Sequence, residues 1–228
     1  MGRGMPHLFR RCQIAYVDAM KGTVLLLAVF VTLVVRAPEP PVARATAHLF
    51  YFPPLGAPIL IDGYEKMDEA PLKSEVWRLK NNKWEIVAIA DHDSRKLTAA
   101  AFNSDRNEVF VFGGVGKDGY DFKKSDGLVF DGRSWTIVTT NQIGSRDHHE
   151  MVYANHLKAY VMYGGVDELR THDSTTWLFR DGKWTSLSIA GPGKRVHHAM
   201  AYDPVRGKVV LYGGGPGGER SDTWSSTE

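Results

Sequence analysis

Two histidine pairs carry the clearest chemical potential in the sequence: His148-His149 and His197-His198, each two and three residues after an arginine, Arg146 and Arg195. Consecutive side chains on a strand point to opposite faces, so one imidazole of each pair is placed to face a central channel. Imidazoles from neighbouring repeats meeting there would suit metal ligation or acid–base chemistry. Alternatively they are repeat-pattern residues that hydrogen-bond the local backbone. The corresponding places upstream hold Thr46-Ala47 and Leu97-Thr98, which fits neither alternative cleanly. The arginines pose the same choice. Arg44, Arg95, Arg146 and Arg195 recur at intervals of 51, 51 and 49 residues. They would form a cationic ring at a channel mouth, or tie each repeat to the next through carbonyls and carboxylates. A residue present in every repeat ordinarily serves the repeat, and binding specificity resides in what differs. What differs here are the loops 115–124, 166–173 and 215–221, with 64–73 as their acidic-leaning counterpart. Loops on a rigid scaffold carry recognition. Tyr120, Asp167, Glu168 and His172 therefore join Arg95, Arg146, His149, Arg195 and His198 as candidate binding contacts. No residue is assigned a catalytic or metal-ligating role, and no cofactor is expected.

The elements that must position these residues follow from the repeat itself. Nineteen residues after each arginine stands a glycine: Gly63, Gly114, Gly165 and Gly214. In the last three periods it is the second of a pair, whereas Asp62 precedes Gly63. Trp84, Trp135 and Trp184 recur at 51 and 49 residues, and a second aromatic position holds Trp77, Trp177 and Trp224, with Leu128 in the remaining period. Ahead of the glycines lie β-rich runs, 59–61, 109–112, 160–163 and 209–212, and before those lie runs of smaller residues such as 98–102 and 199–202. Asp131-Gly132 and Asp181-Gly182 are hairpin signals, and Asn81-Asn82 occupies the same place in the first period. Each period thus predicts four antiparallel strands in about 50 residues, one propeller blade. Small residues such as Ala99, Ala100, Ala101, Ala199 and Ala201 suit the crowded innermost strand, and Trp suits the outer strands where blades diverge.

A hydrophobic run, Gly-Gly, an aromatic strand and a Trp about twenty residues later make residues 44–228 resemble the kelch-repeat family, over about four-fifths of the chain. The resemblance implies an all-β propeller of four-stranded antiparallel kelch blades (44–94, 95–145, 146–194 and 195–228). The first period departs most, with Asp62 and the Pro53-Pro54 turn. The sequence reaches only the third strand of its fourth blade, about 3.7 blades. Kelch propellers more often have six or seven, so a piece of a larger ring is expected. Galactose oxidase, the best-known enzyme resembling this repeat, uses a tyrosine cross-linked to a cysteine at copper. The repeats here hold no cysteine, so that chemistry is not expected of this stretch.

Residues 1–37 read differently. Basic residues precede an apolar run of 13 at 23–35, too short for a span of about 20. That is the layout of an export signal, with the true start placed at Met20, or of an uncleaved anchor. Pro-rich 38–43 is a spacer. Without residues 1–37 the formal charge moves from +2 to −2, with 23 basic and 25 acidic residues. No basic patch remains to support nucleic-acid binding. Cys12, the only cysteine, lies in this leader. P-loop, His-Glu-x-x-His and nucleophile-elbow signatures are missing. The expectation is a secreted, periplasmic or cell-surface module that binds a glycan or protein without catalysis and meets a membrane only through an uncleaved anchor. The alternative is a carbohydrate-active enzyme, such as a periplasmic sugar epimerase or mutarotase of the kelch type.

Overall fold

The computed structural model describes residues 41, 43–64, 73–116, 123–140, 142–216 and 219–226. The leader 1–37, most of the spacer 38–43, Tyr120 and most of loops 64–73 and 115–124 lie outside the described residues. All of the described residues belong to the unit Pro40–Glu228.

The β-rich runs form four antiparallel sheets whose strands follow in sequence order. Sheet I comprises β1 (His48–Phe52), β2 (Ala57–Ile61), β3 (Lys73–Lys80) and β4 (Lys83–Asp93). Sheet II comprises β5 (Ala99–Asn103), β6 (Glu108–Phe112), β7 (Gly127–Phe130) and β8 (Trp135–Val138). A short ribbon pairs β9 (Arg146–Asp147) with β12 (Val166–Asp167), and between and after them sheet III takes β10 (Glu150–Ala154), β11 (Ala159–Tyr163), β13 (Thr176–Arg180) and β14 (Lys183–Leu187). Sheet IV has three strands among the described residues, β15 (Ala199–Asp203), β16 (Lys208–Tyr212) and β17 (Thr223–Ser225). A 3-10 turn at Pro53–Leu55 is the only helical element among the described residues. The architecture is all-β and propeller-like, and among the described residues the sheets do not close into a ring.

Turn chemistry sets the registers. Asn81-Asn82 (φ 50° and 59°) and Asp181-Gly182 (φ 51° and 76°) make two-residue hairpins with both central residues left-handed. Asp131-Gly132 differs. Phe130 pairs with Trp135, so four residues form that loop, and Asp131 Oδ1 accepts the main-chain N–H groups of Arg133 and Ser134 at 2.8 Å. The extra Arg133-Ser134 turns an expected tight hairpin into a side-chain-braced loop.

Sheets stack face to face around their first strands. Phe52, Ile59, Ile61 and Val76 of sheet I meet Val109, Val111, Leu128 and Phe130 of sheet II. On the other face of sheet II, Ala99, Ala101, Phe110 and Phe112 meet Met151, Tyr153, Tyr160 and Met162 of sheet III. Ala154 and Val161 then meet Val209, Met200 and Tyr202 of sheet IV. Each buried side chain of this size contributes about 1.5–3 kcal/mol. Alanine serves β5 because innermost strands approach closely. Trp184, on an outer strand, fills the diverging space against Phe112 and Phe179, with centroids at 4.8 and 4.9 Å.

The diglycines are where one sheet locks onto the next. Gly113 and Gly164 both have φ 68°, and a Cβ on either would lie 2.5 Å from the carbonyl oxygen of the next sheet's arginine, Arg146 or Arg195. His149 Cε1 and His198 Cε1 crowd the same two points at 2.9 and 3.1 Å. We predict that Gly113→Ala lowers unfolding free energy by at least about 3 kcal/mol, since backbone and a packed ring must both move. Gly182→Ala, at φ 76° but with open space around it, should cost about 1 kcal/mol. Urea denaturation of the two variants measures the difference.

Candidate functional site

The repeating arginines are buried and committed within their own sheets. Three of the four guanidinium groups donate to the carbonyl of the residue before the marker glycine: Arg44 to Asp62 (3.3 Å), Arg95 to Gly113 (3.3 Å) and Arg195 to Gly213 (2.7 Å). All four pair with a carboxylate at the start of the third strand: Glu75 (2.8 Å), Asp126 (2.7 Å), Asp173 (2.8 Å) and Asp222 (2.5 Å) for Arg44, Arg95, Arg146 and Arg195. Where the second aromatic position is Trp, its indole N–H donates to that same carboxylate: Trp77 to Glu75, Trp177 to Asp173 and Trp224 to Asp222. Sheet II has Leu128 there and lacks this third member. Meanwhile the arginine main-chain carbonyl accepts from the preceding sheet, with Gly114 N–H donating to Arg146 O and Gly165 N–H to Arg195 O, both at 2.8 Å. Arg95, Arg146 and Arg195 thus bind their own sheet through the side chain and the preceding sheet through the backbone.

His149 and His198 are equally enclosed, at 1% and 3% exposure. Their rings stand edge-on to Phe112 (5.7 Å) and Tyr163 (5.8 Å) of the preceding sheet. A strand's two faces in this fold look at neighbouring sheets, so alternation along the strand directs these rings into the inter-sheet seam. None of their four ring nitrogens has a hydrogen-bond partner. Burial, and then the neighbouring Arg146, hold His149 well below the ordinary imidazole range. Burial, and then Arg195, lower His198 to about 4. Both are neutral packing groups at physiological pH.

The imidazoles that do meet are the other members of the pairs. His148 and His197 lie 4.7 Å apart, ring planes at 80°. Asp147 Oδ1 sits 2.9 Å from His148 Nδ1. Its other oxygen lies 3.5 Å from Lys123 Nζ, which donates to the carbonyls of Val166 (3.1 Å) and Asp167 (2.7 Å). Asp147 is itself buried. Lys123, Asp147, His148 and His197 therefore form one continuous polar chain, and burial followed by His148 lowers the pKa of His197. Around it the loop residues separate into braces and contacts. Asp167 Oδ1 accepts the Leu169 and Thr171 N–H groups, holding its own loop, and Glu168 accepts the Ser145 N–H. His172 lines a cleft of about 760 Å³ together with His197. A signal for His148 and His197 exists in the sequence only as the first residue of each His-His pair; their left-handed φ of 56° is what turns them out of the strand.

A second polar feature escaped sequence reasoning. The four innermost strands border a cavity of about 390 Å³ lined by His48 and Glu150 among apolar residues. Burial raises the Glu150 carboxyl to about 7, and burial lowers His48, whose Nε2 lies 2.8 Å from Thr98 Oγ1. Among the described residues no group of three or more His, Cys, Asp or Glu could hold a metal ion.

We predict that Asp173→Ala destabilises by about 3 kcal/mol, because Arg146 keeps a buried charge without its counter-ion. Chemical denaturation measures it. The histidines add a pH dependence. A folded pKa below the unfolded value of about 6.5 means that the unfolded chain binds the extra proton, so stability is full above that pH and falls below it. His149 and His198 should each contribute a slope of up to about 1.4 kcal/mol per pH unit, for His198 between 6.5 and about 4. Glu150 opposes this, since its raised pKa favours the folded state as pH falls toward the unfolded carboxyl value. Denaturation midpoints from pH 7 to 5 should flatten in His198→Gln relative to the parent.

No protein family matches the chain in sequence, and no curated protein matches it. In three dimensions it is similar to the solved structure of YjhT, with a TM-score of 0.60 at 15% identity. The match covers 78% of this chain and 60% of that one. The likeness is one of fold.

Proposed function

We propose that this chain is an exported protein of kelch-type propeller blades that binds a glycan or protein ligand without catalysis. The observation that carries the reading is the engagement of the repeating groups: Arg95, Arg146 and Arg195 are held by carboxylates and carbonyls, and His149 and His198 are neutral within sheet seams. Recognition then falls to residues that the repeat does not consume, namely His148, His197 and His172 with the surrounding loops. A glycan array probed with the full chain tests this. Binding is expected, and the double variant His148→Ala/His197→Ala should lose it at least tenfold while its melting temperature stays with the parent. Undiminished binding in that variant removes the mouth as the site. Val205, 92% exposed in the turn at the far end of sheet IV, supplies the control substitution Val205→Ser.

One observation favours a carbohydrate-active enzyme instead. Asp147 on His148 Nδ1 fixes the ring and leaves Nε2 to exchange a proton, an arrangement suited to sugar epimerisation or mutarotation. Accelerated anomer exchange of reducing sugars by NMR, abolished in Asp147→Asn, would replace the binding reading.

A further inference from the structure

The first residue of each innermost strand is a single repeat position, held by His48 of β1, Ala99 of β5, Glu150 of β10 and Ala199 of β15. Alanine is what a crowded inner strand calls for, and glutamate is not. Glu150 lies on an internal sheet, with sheet II packed on one side and sheet IV on the other. It lines the cavity of about 390 Å³ bordered by the innermost strands. Other buried carboxylates of the structure have partners: Ser74 at Asp62, and Lys123 with His148 at Asp147. The Glu150 carboxyl has neither a hydrogen bond nor an ion pair among the described residues, and burial by itself raises it to about 7. Taking a carboxyl out of water without a partner is costly. Nothing in the packing of the repeat accounts for an acid at this position.

The rest of the cavity supplies no counter-charge. Among the described residues Glu150 is the one acid in its lining and His48 the one base. Burial lowers the His48 imidazole, whose Nε2 lies 2.8 Å from Thr98 Oγ1, so the ring is neutral at physiological pH. The tyrosine hydroxyls toward the other end of the strands are taken: Tyr153 donates to Asp105 at 2.7 Å and Tyr202 to Asn155 Oδ1 at 2.6 Å. Tyr163, opposite Glu150 on β11, donates to the Gly193 carbonyl. Between the two ends the walls are apolar, with Phe50, Ala100, Phe102, Val152 and Met200. An apolar cavity with one oriented polar group is the ordinary form of a small-molecule site. A carboxyl that lacks a cation makes this one complementary to a positive group carried on a short hydrocarbon body.

We propose that this cavity binds an organic ammonium ion, the Glu150 carboxylate taking the cationic head and the apolar walls the hydrocarbon body. The ammonium supplies the partner that the repeat withholds. An anion is repelled there, and a neutral alcohol leaves the carboxylate without its counter-charge. Because the head pairs with ionised Glu150, uptake draws the proton off the fraction of chains that carry one. The cavity shares no lining residue with His148, His197 or their loops, so this site goes beyond the reading of the preceding section and does not rest on it.

Titration of the full chain with n-butylammonium chloride, followed by NMR and by pH-stat, tests the site. Saturable binding is expected, its affinity rising about tenfold from pH 6 to 8 as Glu150 ionises, with about half a proton released per ligand at pH 7. n-Butanol should bind at least tenfold more weakly and release no proton. Glu150→Gln should lose at least tenfold in ammonium affinity, together with the proton release, while melting no lower than the parent. Val205→Ser should bind as the parent does. In the parent chain itself, absence of saturable binding, equal affinity for n-butanol or affinity indifferent to pH overturns the site. Unchanged affinity in Glu150→Gln overturns it as well. None of these failures touches the reading of the His148 and His197 mouth, which is tested by its own ligands and variants.

Discussion

The structure depends on one hydrogen bond made three times: the N–H of a left-handed glycine reaching the main-chain carbonyl of the next sheet's arginine. A side chain on the residue before that glycine would collide with that carbonyl in sheets II and III. The same arginine turns its guanidinium back into its own sheet onto a carboxylate at the start of the third strand, and Arg95 and Arg195 also reach the carbonyl before their own sheet's glycine. Backbone and side chain of one residue therefore fasten a seam and brace a sheet at once. Neighbouring seams differ in their apolar content, yet this junction keeps its geometry, so it sets the spacing into which Phe, Tyr, Met and Trp pack.

Once the junction is understood, its variations become intelligible. Sheet I has Asp62 where sheets II and III have glycine, and Asp62 adopts a φ of 56° without leaving the left-handed region. Asp accepts that region more readily than most residues. The residue of sheet II at the repeat position of His149 and His198 is Thr98, which is smaller than an imidazole. Ser74 Oγ donates to Asp62 Oδ1 at 2.9 Å, giving the buried carboxylate a partner within its own sheet. The histidine and the glycine form a matched pair across a seam, which explains why the second residue of each His-His pair is structural.

The period, the strand order and the inner-to-outer size gradient were legible because each is a local preference repeated in register. Arginine spacing pointed to a repeat role, but it did not reveal that side chain and carbonyl serve different sheets, since neither the carboxylate 27 to 31 residues downstream nor the glycine of the preceding period lies near in sequence. Choosing the right imidazole failed for a definite reason. Strand alternation assigns faces correctly only where the backbone is extended, and His148 and His197 are left-handed. The polar chain from Lys123 to His197 was also out of reach, because it joins two sheets and a ribbon that only tertiary structure brings together.

The positive φ shared by successive sheets ahead of their first strands is itself informative. Thr46, Leu97, His148 and His197, at φ 54°, 59°, 56° and 56°, occupy one position in successive sheets. Each non-glycine residue held there carries a cost of about 1 kcal/mol or more, severest for β-branched Thr46. Glycine would remove that cost, and four of four repeats lack it. The positions are linked from sheet to sheet: the Leu97 N–H donates to Thr46 Oγ1, the His148 N–H donates to Leu97 O, and the His148 ring meets that of His197. Backbone shape here is dictated by the repeat, whereas the side chain changes from threonine to leucine to histidine. A site where the fold fixes direction and leaves chemistry free is where a propeller-like scaffold acquires individuality, and in this chain two adjacent sheets use it to bring imidazoles together beside a buried, oriented carboxylate.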